Sequence, residues 1–247
     1  MKDLMTQQIL AELRLSGMAR ELIRQSDDMQ CQKLGFEQRL LMLLTAERDL
    51  RQNKRIANLV KRANLRYSQA NLEDVDYATQ RNLDPGLVQS LSSCAWISKG
   101  KNLLILGATG TGKSWLACAF AKQACRNGLS TIYTTATNLF EEIASSLLDQ
   151  SYQKLKKQLC SARVLVIDDF GLGGIPNNMA PILLEILDRQ SMNGSLIIAS
   201  QHPETDWYHF FDDPAIADAI LDRVVYESNQ IHLKGESMRK VRAKRNT

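Results

Sequence analysis

The sequence predicts an α/β protein with a parallel sheet between helices, preceded by a small all-helical domain. From Lys101 onward, short apolar runs alternate with segments of helical pattern. Continuous apolar strands separated by helices are typical of a parallel sheet that is covered on both faces. Upstream, the long stretch from Phe36 to about Arg66 contains no proline and no glycine, so that nothing in it ends a helix.

Four predicted strands and three predicted helical segments alternate in the second part of the chain. The strands are NLLILG, STIYTT, ARVLVIDDFG and SLIIASQ. The helical segments are SWLACAFAKQACRNG, NLFEEIASSLLDQSYQKLKKQL and NMAPILLEILDRQSMNG, and a glycine closes the first and the third. We therefore divide the chain into a helical domain at 1–66, an α/β domain at 67–233 and a basic tail at 234–247.

Charge is distributed unevenly along the 247 residues, whose net charge is +4. Residues 1–66 hold 13 Lys/Arg and 8 Asp/Glu, and residues 234–247 hold 6 and 1. The segment between them carries 12 basic and 18 acidic residues, a net charge of −6. Two basic ends around an acidic body indicate a polyanionic partner, or they simply keep the surface solvated.

Composition argues against membrane proteins and metal–thiolate proteins. The sequence has no run of about 18 apolar residues, and its charged amino terminus lacks the apolar centre of a signal peptide. The five cysteines are scattered and form no CxxC pair, whereas a metal site requires clustered thiolates. We expect reduced, buried thiols in a cytoplasmic protein that has no membrane partner.

Residues 107–114, GATGTGKS, fit the phosphate-binding pattern GxxxxGK[ST] between a strand and a helix. Glycines let successive backbone N–H groups turn inward, and these groups form a cage for phosphate oxygens with the helix N-terminus. We expect Lys113 to neutralise the β- and γ-phosphates of ATP and the Ser114 hydroxyl to coordinate Mg²⁺. The predicted nucleotide contacts are Gly107, Ala108, Thr109, Gly110, Thr111, Gly112, Lys113, Ser114 and Trp115.

Two adjacent carboxylates end the predicted strand VLVIDDF. Four apolar residues bury the strand and direct Asp168 and Asp169 to its carboxyl-terminal edge, where ligands of parallel sheets bind. Desolvating two adjacent carboxylates is unfavourable unless a cation lies beside them. We expect Asp168 to hold Mg²⁺, directly or through water, and Asp169 to orient and polarise the attacking water. The alternative is a DD turn that caps a helix.

Three features favour hydrolysis over phosphoryl transfer to a small molecule. The second acid, Asp169, suits activation of water. The strand SLIIASQ ends in polar Ser200 and Gln201, where a catalytic side chain, for which we take Ser200, can contact the γ-phosphate or that water. Arg223, near an amphipathic helix beyond that strand, can complete a neighbouring subunit's active site as a finger, which supplies about 10³–10⁵ in rate. Otherwise Arg223 is solvated or pairs with an aspartate of its own helix.

The order of these features resembles that of an AAA+ ATPase, a P-loop NTPase, and the helical insertion at 138–159 is similar to that of the replication-initiator clade. Six segments carry a closer resemblance. They are LRLSGMAREL, ILGATGTGKSWLACA, VLVIDDFG, ASQHPETDW, ADAILDR and LKGESMRK. Together they resemble the IstB family of transposition helper ATPases over essentially the whole chain, and the DnaC helicase loaders are near relatives of that family.

The resemblance implies an ATPase that uses ATP and Mg²⁺, forms a homo-oligomer with ATP, binds and remodels double-stranded target DNA and stimulates the transposase of the same insertion sequence. It makes Arg223 the finger that acts on a neighbouring subunit, and Arg239 the candidate for a second γ-phosphate sensor. Only 46 residues follow Gln201, too few for the full helical lid that normally carries this sensor. With a truncated lid, Arg239 can instead belong to the basic tail.

Residues 51–66, RQNKRIANLVKRANLR, contain six basic residues and no acid. At 100° per residue the four arginines of this segment share one helix face, with both lysines beside them and the apolar residues on a separate arc. Such a stripe can follow a phosphate backbone, or it is a solvated basic face. The predicted DNA contacts are Arg51, Lys54, Arg55, Lys61, Arg62 and Arg66.

The leading interpretation is a DNA-binding ATPase that assists a transposase. In it, ATP at a subunit boundary favours assembly, and assembly arrays the basic helices along DNA and multiplies weak contacts. Three alternatives stay open: a DnaC-like loader of a replicative helicase, a nucleotide-gated DNA-binding scaffold with negligible turnover, and a small-molecule kinase.

Overall fold

The computed structural model describes residues 2–79, 81–226, 228–238, 240 and 243. The chain divides into two compact units, 1–58 and 59–247. The domain boundary predicted at residue 66 therefore lies further along the chain than the division between the units, which falls inside a helix.

Helices make up the amino-terminal unit. They are α1 (Lys2–Glu12), α2 (Ser16–Asp27), α3 (Met29–Gln32) and α4 (Phe36–Ala63), whose last turn belongs to the second unit. The 28 residues of α4 include neither proline nor glycine. This helix nevertheless ends before the predicted position near residue 66, because Asn64 adopts a left-handed φ of 52°, a conformation that asparagine tolerates better than most residues.

A buried carboxylate joins α2 to α4 within the amino-terminal unit. Glu47 accepts hydrogen bonds from the backbone N–H groups of Gly17 at 2.6 Å and Met18 at 3.3 Å, and it pairs with Arg51 at 2.7 Å. The first N–H groups of a helix lack partners within the helix and favour an anion. Burial opposes ionisation of Glu47, but the bonds from Arg51, Gly17 and Met18 outweigh it and lower the pKa of this carboxyl.

A five-stranded parallel sheet forms the centre of the second unit. The strands are β1 (Asn102–Gly107), β2 (Thr131–Thr135), β3 (Val164–Phe170), β4 (Ser195–Ser200) and β5 (Ser228–Leu233). Their order across the sheet is β2-β3-β4-β1-β5, and all neighbours are parallel. The four predicted strands are confirmed. The fifth was not predicted because SNQIHL, at an edge of the sheet, has no continuous apolar run.

The remaining helices connect the strands or precede the sheet. They are α5 (Pro85–Ser92), α6 (Ala95–Ser98), α7 (Lys113–Arg126), α8 (Ala136–Leu148), α9 (Tyr152–Cys160), α10 (Ala180–Asn193) and α11 (Pro214–Val225), with short 3₁₀ helices at Leu72–Asp74 and Glu204–Phe210. The insertion predicted at 138–159 forms two helices, because Gln150 adopts a φ of 61° and turns the chain between α8 and α9.

Two apolar layers cover the two faces of the sheet, as its continuous apolar strands predict. Alternate residues of a strand point to opposite faces. Leu103 and Ile105 of β1 therefore pack in one layer with α7, α5 and α6. Leu104 and Leu106 pack in the other layer with α8 to α11. All four side chains are at most 2% exposed.

Four of the cysteines belong to this packing, Cys94, Cys118 and Cys125 in one layer and Cys160 in the other, and all five bear out the prediction of buried thiols. Cys31, Cys94, Cys118, Cys125 and Cys160 are all buried and free. Burial raises the pKa of the Cys118 thiol to about 11, so that this thiol stays protonated at neutral pH. Among the residues described, no helix combines the length and the apolar character that a membrane span needs.

The strand order decides where a ligand can bind. Because β3, β4 and β1 are neighbours and parallel, their carboxyl ends lie side by side at one edge. Ligands of open parallel sheets bind at this edge. The phosphate turn follows β1, the two aspartates directly precede the last residue of β3, and Gln201 follows β4, so that residues from three predicted segments lie at the same edge of the sheet.

The close approach of α2 to α4 predicts the effect of a methyl group at Gly17. A Cβ there would lie 2.6 Å from Glu47 Cα and 2.7 Å from the Ala46 carbonyl oxygen. Both are backbone atoms, so that the helices must separate, and Gly17→Ala should lower the free energy of unfolding by about 1–3 kcal/mol. Gly35→Ala is the matched control, since a Cβ at Gly35 meets nothing within 4 Å. Equal urea midpoints for the two variants would contradict this account.

Candidate nucleotide-binding site

The phosphate turn adopts a conformation that requires glycine. Gly110 has a φ of 85° and Gly112 a φ of 101°, both in the left-handed region that side chains disfavour. A Cβ at Gly112 would lie 2.9 Å from Arg81 Nη1, and one at Gly110 would overlap the Ser237 side chain, so that these side chains would have to move. Gly112 directly precedes α7, whose first N–H groups therefore open onto the turn.

Asp168 is fully buried, and both of its carboxylate oxygens are bound. Ser114 Oγ donates to Oδ1 at 3.0 Å, and the backbone N–H of Asp169 donates to the same oxygen at 2.9 Å. The Tyr133 hydroxyl, from the neighbouring strand β2, donates to Oδ2 at 2.7 Å. Burial and the nearby Asp168 charge raise the pKa of Tyr133, so that this hydroxyl keeps its proton at neutral pH. The carboxylate is thus held in one orientation.

Lys113 is the other buried charge at the turn. Its Nζ donates to the carbonyl of Ala108 at 3.0 Å, and its side chain is among the buried polar groups. Burial lowers the pKa of Lys113, while Asp168 and Asp169 act in the opposite direction. A phosphate group entering the turn would give this ammonium group an anionic partner and offset the cost of its burial.

Asp169 lies at the cavity with a backbone under strain. Its φ of 54° places a non-glycine residue in the left-handed region, and such strain is concentrated at functional sites. Burial, followed by the charge of Asp168, raises the pKa of its carboxyl, while Arg66 and Lys113 partly offset this effect. A carboxyl whose basicity is raised in this way is suited to polarise water.

A cavity of about 400 Å³ opens at this edge of the sheet. Its volume lies in the range of sites for small ligands and cofactors. The lining residues include Thr109, Gly110, Gly112, Lys113, Ser114, Trp115, Asp169 and Gln201, together with Arg66, Tyr67, Asp74, Asp76, Arg81, Leu172 and Met238. The structure therefore brings Lys113, Ser114, Trp115 and Asp169 together as predicted, and adds a segment before β1.

Arg81 is a member of the site that the sequence analysis missed. Its side chain is 4% exposed, and it donates from Nη1 to the Thr111 carbonyl at 3.3 Å and from Nη2 to the Asp76 carbonyl at 2.8 Å. The carbonyl of Arg81 in turn accepts from the N–H of Lys234. Arg81 lies in the loop region before the first strand and belongs to no sequence motif, so that no local pattern predicted its place in the site.

The segment after β5 also closes on the phosphate turn. The N–H of Met238 donates to the carbonyl of Gly110 at 2.8 Å, and the Met238 side chain lines the cavity. In the sequence analysis LKGESMRK carried part of the family resemblance, and Arg239 was the one residue of this segment assigned to the site. Arg239, the predicted second sensor, lies outside the described residues.

Ser200 does not lie where the sequence placed it. Its side chain is fully buried, and its hydroxyl donates to the Phe170 carbonyl at 2.8 Å, which ties β4 to the end of β3. Gln201 lines the cavity instead, and its Oε1 accepts a hydrogen bond from Thr109 Oγ1 at 2.6 Å. The next residue of the chain therefore takes the position that was assigned to Ser200.

Arg223 lies at the opposite edge of the sheet from the cavity. Asn102, the first residue of β1, donates from Nδ2 to the Arg223 carbonyl at 2.8 Å. The phosphate turn follows the other end of this six-residue strand, about 17 Å away. The Arg223 side chain bonds through Nε to Asp188 at 2.7 Å and through Nη1 to the Ala219 carbonyl at 2.8 Å. Its partner is thus an aspartate of α10 rather than one of its own helix.

The predicted DNA-binding residues fall into two groups. Five of them are exposed on α4: Arg51, Lys54, Arg55, Lys61 and Arg62. Arg51 pairs with the buried Glu47. The sixth, Arg66, follows the end of α4 and lines the nucleotide cavity. Its inclusion in a helical DNA-binding stripe was wrong, because Asn64 ends the helix two residues earlier.

Comparisons with known proteins agree with this geometry. The family of IstB-like ATP-binding proteins matches residues 8–246. The chain belongs to this family. It is 37% identical to the insertion sequence ATP-binding protein y4pL of Sinorhizobium fredii over 231 residues, which cover 94% of either chain. It is 40% identical to the insertion sequence IS1162 ATP-binding protein of Pseudomonas fluorescens over 205 residues, 82% of this chain and 89% of the relative.

Solved structures confirm the AAA+ P-loop fold of this IstB-like chain. The crystal structure of DnaI matches with a TM-score of 0.58 and 22% identity, covering 67% of this chain and 92% of that one. The DnaC helicase loader matches with a TM-score of 0.54 and 17% identity, covering 68% and 99%. DnaA from Aquifex aeolicus with bound AMPPCP matches with a TM-score of 0.55 and 17% identity, covering 72% and 54%.

The donor set beside the turn fits a magnesium ion. Mg²⁺ takes oxygen ligands, usually one or two protein groups with water and substrate phosphates. Ser114 Oγ and Asp168 Oδ1 lie 3.0 Å apart, and both are oxygen donors of the required kind. Ser114 and Asp168 would therefore hold the ion, and Tyr133 would orient the carboxylate from behind, as residues around metal ligands commonly do.

The hydrogen bond from Tyr133 to Asp168 predicts how the Mg²⁺ dependence of ATP binding changes when the Tyr133 hydroxyl is removed. Tyr133→Phe leaves Asp168 Oδ2 without its partner, so that the carboxylate loses its fixed orientation. The Mg²⁺ concentration at half-maximal ATP binding should rise about 10- to 100-fold, the usual effect of removing such a supporting group. Tyr152→Phe is the matched control, because the Tyr152 hydroxyl also donates to a carboxylate, that of Glu185 at 2.9 Å, away from the cavity. A Tyr133→Phe protein with the wild-type Mg²⁺ dependence would refute this role.

Proposed function

We propose that this IstB-like protein is a Mg²⁺-dependent ATPase that assembles on DNA and assists the transposase of its insertion sequence. The observation that supports the ATPase most directly is the meeting of Ser114, Asp168 and Asp169 at the carboxyl edge of the sheet. A nucleotide-binding turn alone would suit many proteins. A second carboxylate that lines the cavity with a raised pKa favours hydrolysis.

Five side chains at or beside the cavity have a chemical role in this proposal. Lys113 and the N–H groups of the turn bind the phosphates. Magnesium, when bound by Ser114 and Asp168, neutralises charge that develops on the phosphate oxygens. Asp169 orients and polarises the attacking water. Gln201 interacts with both Thr109 and Asp169. In this proposal Gln201, instead of Ser200, contacts the terminal phosphate or the attacking water.

Arg223 acts on a neighbouring subunit in this proposal. At the opposite sheet edge, about 17 Å from the turn, it cannot reach the cavity of its own chain. Asp188 and the Ala219 carbonyl hold its guanidinium group in place, so that little side-chain freedom is lost when a neighbour's ATP meets it. Head-to-tail contacts of this kind build rings or helical filaments, and ATP at each boundary favours assembly.

The exposed basic residues of α4 are proposed to contact the DNA backbone. They are Arg51, Lys54, Arg55, Lys61 and Arg62. Phosphate contacts of this type position a protein on DNA without reading its sequence. A structural neighbour is described as the replication initiator DnaA bound to AMPPCP and single-stranded DNA, and this likeness of fold accords with a nucleic-acid partner.

A DnaC-like helicase loader is the second candidate. The observation that favours it is the fold shared with the DnaC helicase loader, which the chain covers to 99%. The family, whose relatives belong to insertion sequences, favours the transposase partner. Pull-down of the purified protein against a hexameric helicase and against the transposase of the same element separates the two. Binding to the helicase alone would support the loader.

Mixing two inactive variants tests whether Arg223 acts between subunits. Arg223→Ala and Asp169→Asn should each lower the rate of phosphate release by about 10³-fold or more, because one removes the finger and the other the water-polarising group. In an equimolar mixture about a quarter of the head-to-tail boundaries join an intact cavity to an intact Arg223. The mixture should therefore regain roughly that share of wild-type activity.

Two results of the mixing experiment would count against the proposal. Continued inactivity of the mixture would mean that Arg223 does not complete a neighbour's site. Phosphate release that Asp169→Asn leaves unchanged would mean that the wild-type protein has no turnover of its own, as expected for a nucleotide-gated scaffold.

The salt dependence of DNA binding tests the exposed stripe. Each phosphate contact contributes roughly −0.9 to the slope of log affinity against log salt concentration. A double variant that combines Lys61→Gln with Arg62→Gln removes two such contacts and should therefore make the slope shallower by about 2. Lys154→Gln with Lys157→Gln is the matched control, since both lysines are exposed on α9 and the change of charge is equal. Equal slopes for the two double variants would mean that Lys61 and Arg62 of α4 do not contact the DNA phosphates.

A further inference from the structure

Arg66 occupies a position in the nucleotide cavity that no motif assigns to it. Its Nη1 lies 3.6 Å from Asp169 Oδ2, and its guanidinium carbon lies 5.7 Å from the centre of the Tyr67 ring. The residues before it fix the backbone, because Ala63 and Leu65 are buried in the apolar layer that contains α7. The side chain itself is 46% exposed, so that it faces the open space where a ligand would bind.

The charges around Arg66 are those of the catalytic site. Burial acts against its charge, but Tyr67, Tyr133 and Asp168 outweigh this effect and raise the pKa of the guanidinium group. Arg66 thus lies next to Asp169 and is influenced by the charge of Asp168. In the proposed reaction these aspartates hold the ion and the attacking water, and Arg66 lines the same cavity as Lys113, which is proposed to bind the phosphates of ATP.

The ion pair between Arg66 and Asp169 is loose. A separation of 3.6 Å exceeds the 2.7–2.9 Å of a good charge-assisted hydrogen bond. A terminal phosphate offers three oxygens and more negative charge than a carboxylate, and arginine binds such groups through two parallel N–H donors. A triphosphate in the cavity can therefore compete for Arg66 against Asp169.

We infer that Arg66 is a second arginine of the site, which acts within its own subunit and recognises the terminal phosphate of ATP. Without a triphosphate it pairs with Asp169 and keeps this carboxylate from water. With ATP bound, it transfers to the γ-phosphate and releases Asp169 for the reaction. ADP has no γ-phosphate and leaves the ion pair in place, so that Arg66 distinguishes the two nucleotides. This inference rests on the proposed ATPase function.

The position of Arg66 in the chain gives this exchange a second consequence. It follows the last residue of α4, Ala63, after two residues, and Lys61 and Arg62 lie on the final turn of that helix. A change of partner at Arg66 is therefore transmitted through a short, partly buried segment to the proposed DNA-binding residues. By linkage, DNA that binds this turn must change the affinity for ATP by the same factor as ATP changes the affinity for DNA.

Nucleotide affinities of the full-length protein test the inference. With Mg²⁺ present, fluorescent AMPPCP and fluorescent ADP are titrated separately against wild-type protein and Arg66→Ala. The affinity for AMPPCP should fall about 10- to 100-fold, the range for a lost hydrogen bond to a charged group, and the affinity for ADP should stay unchanged. Arg66→Lys keeps the charge without the planar fork and should lose less. Arg20→Ala, which removes an exposed arginine of α2, should leave both affinities unchanged.

A double-mutant cycle examines the ion pair itself. Asp169→Asn releases Arg66 and should tighten AMPPCP binding, and the gain should be smaller in the Arg66→Ala background, where the substitution removes only the repulsion between carboxylate and phosphate. Thermal unfolding without nucleotide identifies any loss that comes from misfolding, and Arg66→Lys then replaces Arg66→Ala as the deciding variant.

Equal losses for AMPPCP and ADP, or no loss for either, would overturn the role of Arg66. The proposed function has a separate check, because Lys113→Ala should abolish binding of both nucleotides. If Lys113→Ala binds neither nucleotide while Arg66→Ala keeps the wild-type ratio of affinities, the ATPase stands and the inference about Arg66 falls. If Lys113→Ala binds both normally, the nucleotide site itself is misplaced.

Discussion

The buried carboxylate of Asp168 is the constraint on which the site depends. A charge in the interior is tolerated only when hydrogen bonds compensate for the water that it has lost. Here the compensation comes from Ser114 on α7, Tyr133 on β2 and the backbone of Asp169. These groups are brought together by the order of the strands, since β2 and β3 are neighbours. The fold and the site therefore stabilise each other, and neither can be altered at this edge without cost to the other.

The parallel sheet also separates the two halves of the proposed reaction. Helices that return from one parallel strand to the next run opposite to the strands, so that α11 begins at the cavity edge and ends at the other edge. Arg223 is near its end, fixed there by Asn102 and Asp188. A single chain thus presents a cavity at one edge and an anchored arginine at the other. In the proposed mechanism a second copy of the chain places its Arg223 at the first one's cavity and completes it, which would link turnover to assembly.

Sequence predicted the parts of the site that depend on local spacing and missed those that depend on register. Lys113, Ser114 and the two aspartates follow strands at fixed intervals, so that their meeting required only a parallel sheet. Tyr133 bonds to Asp168 because Thr135 is paired with Asp168, which places residue 133 on the same face, and no motif records this register. The role assigned to Ser200 was also misplaced because of register. Two polar residues mark the end of β4, but successive side chains of a strand point to opposite faces, so that Ser200 points into the core and Gln201 lines the cavity.

The end of α4 shows how a single backbone angle changes the partner of a charged side chain. The predicted helix extended to residue 66 because the segment lacks glycine and proline. On such a helix Arg66 would share a face with the other arginines. The left-handed φ of Asn64 turns the chain before Arg66, and burial of Leu65 in the layer beside α7 holds the new direction. The guanidinium group consequently lies 3.6 Å from Asp169 rather than on the helix face of the other arginines. A helical pattern therefore predicts which surface a charged residue occupies only up to the last turn of the helix. After that turn, the packing of the neighbouring apolar residue determines what each charged side chain contacts.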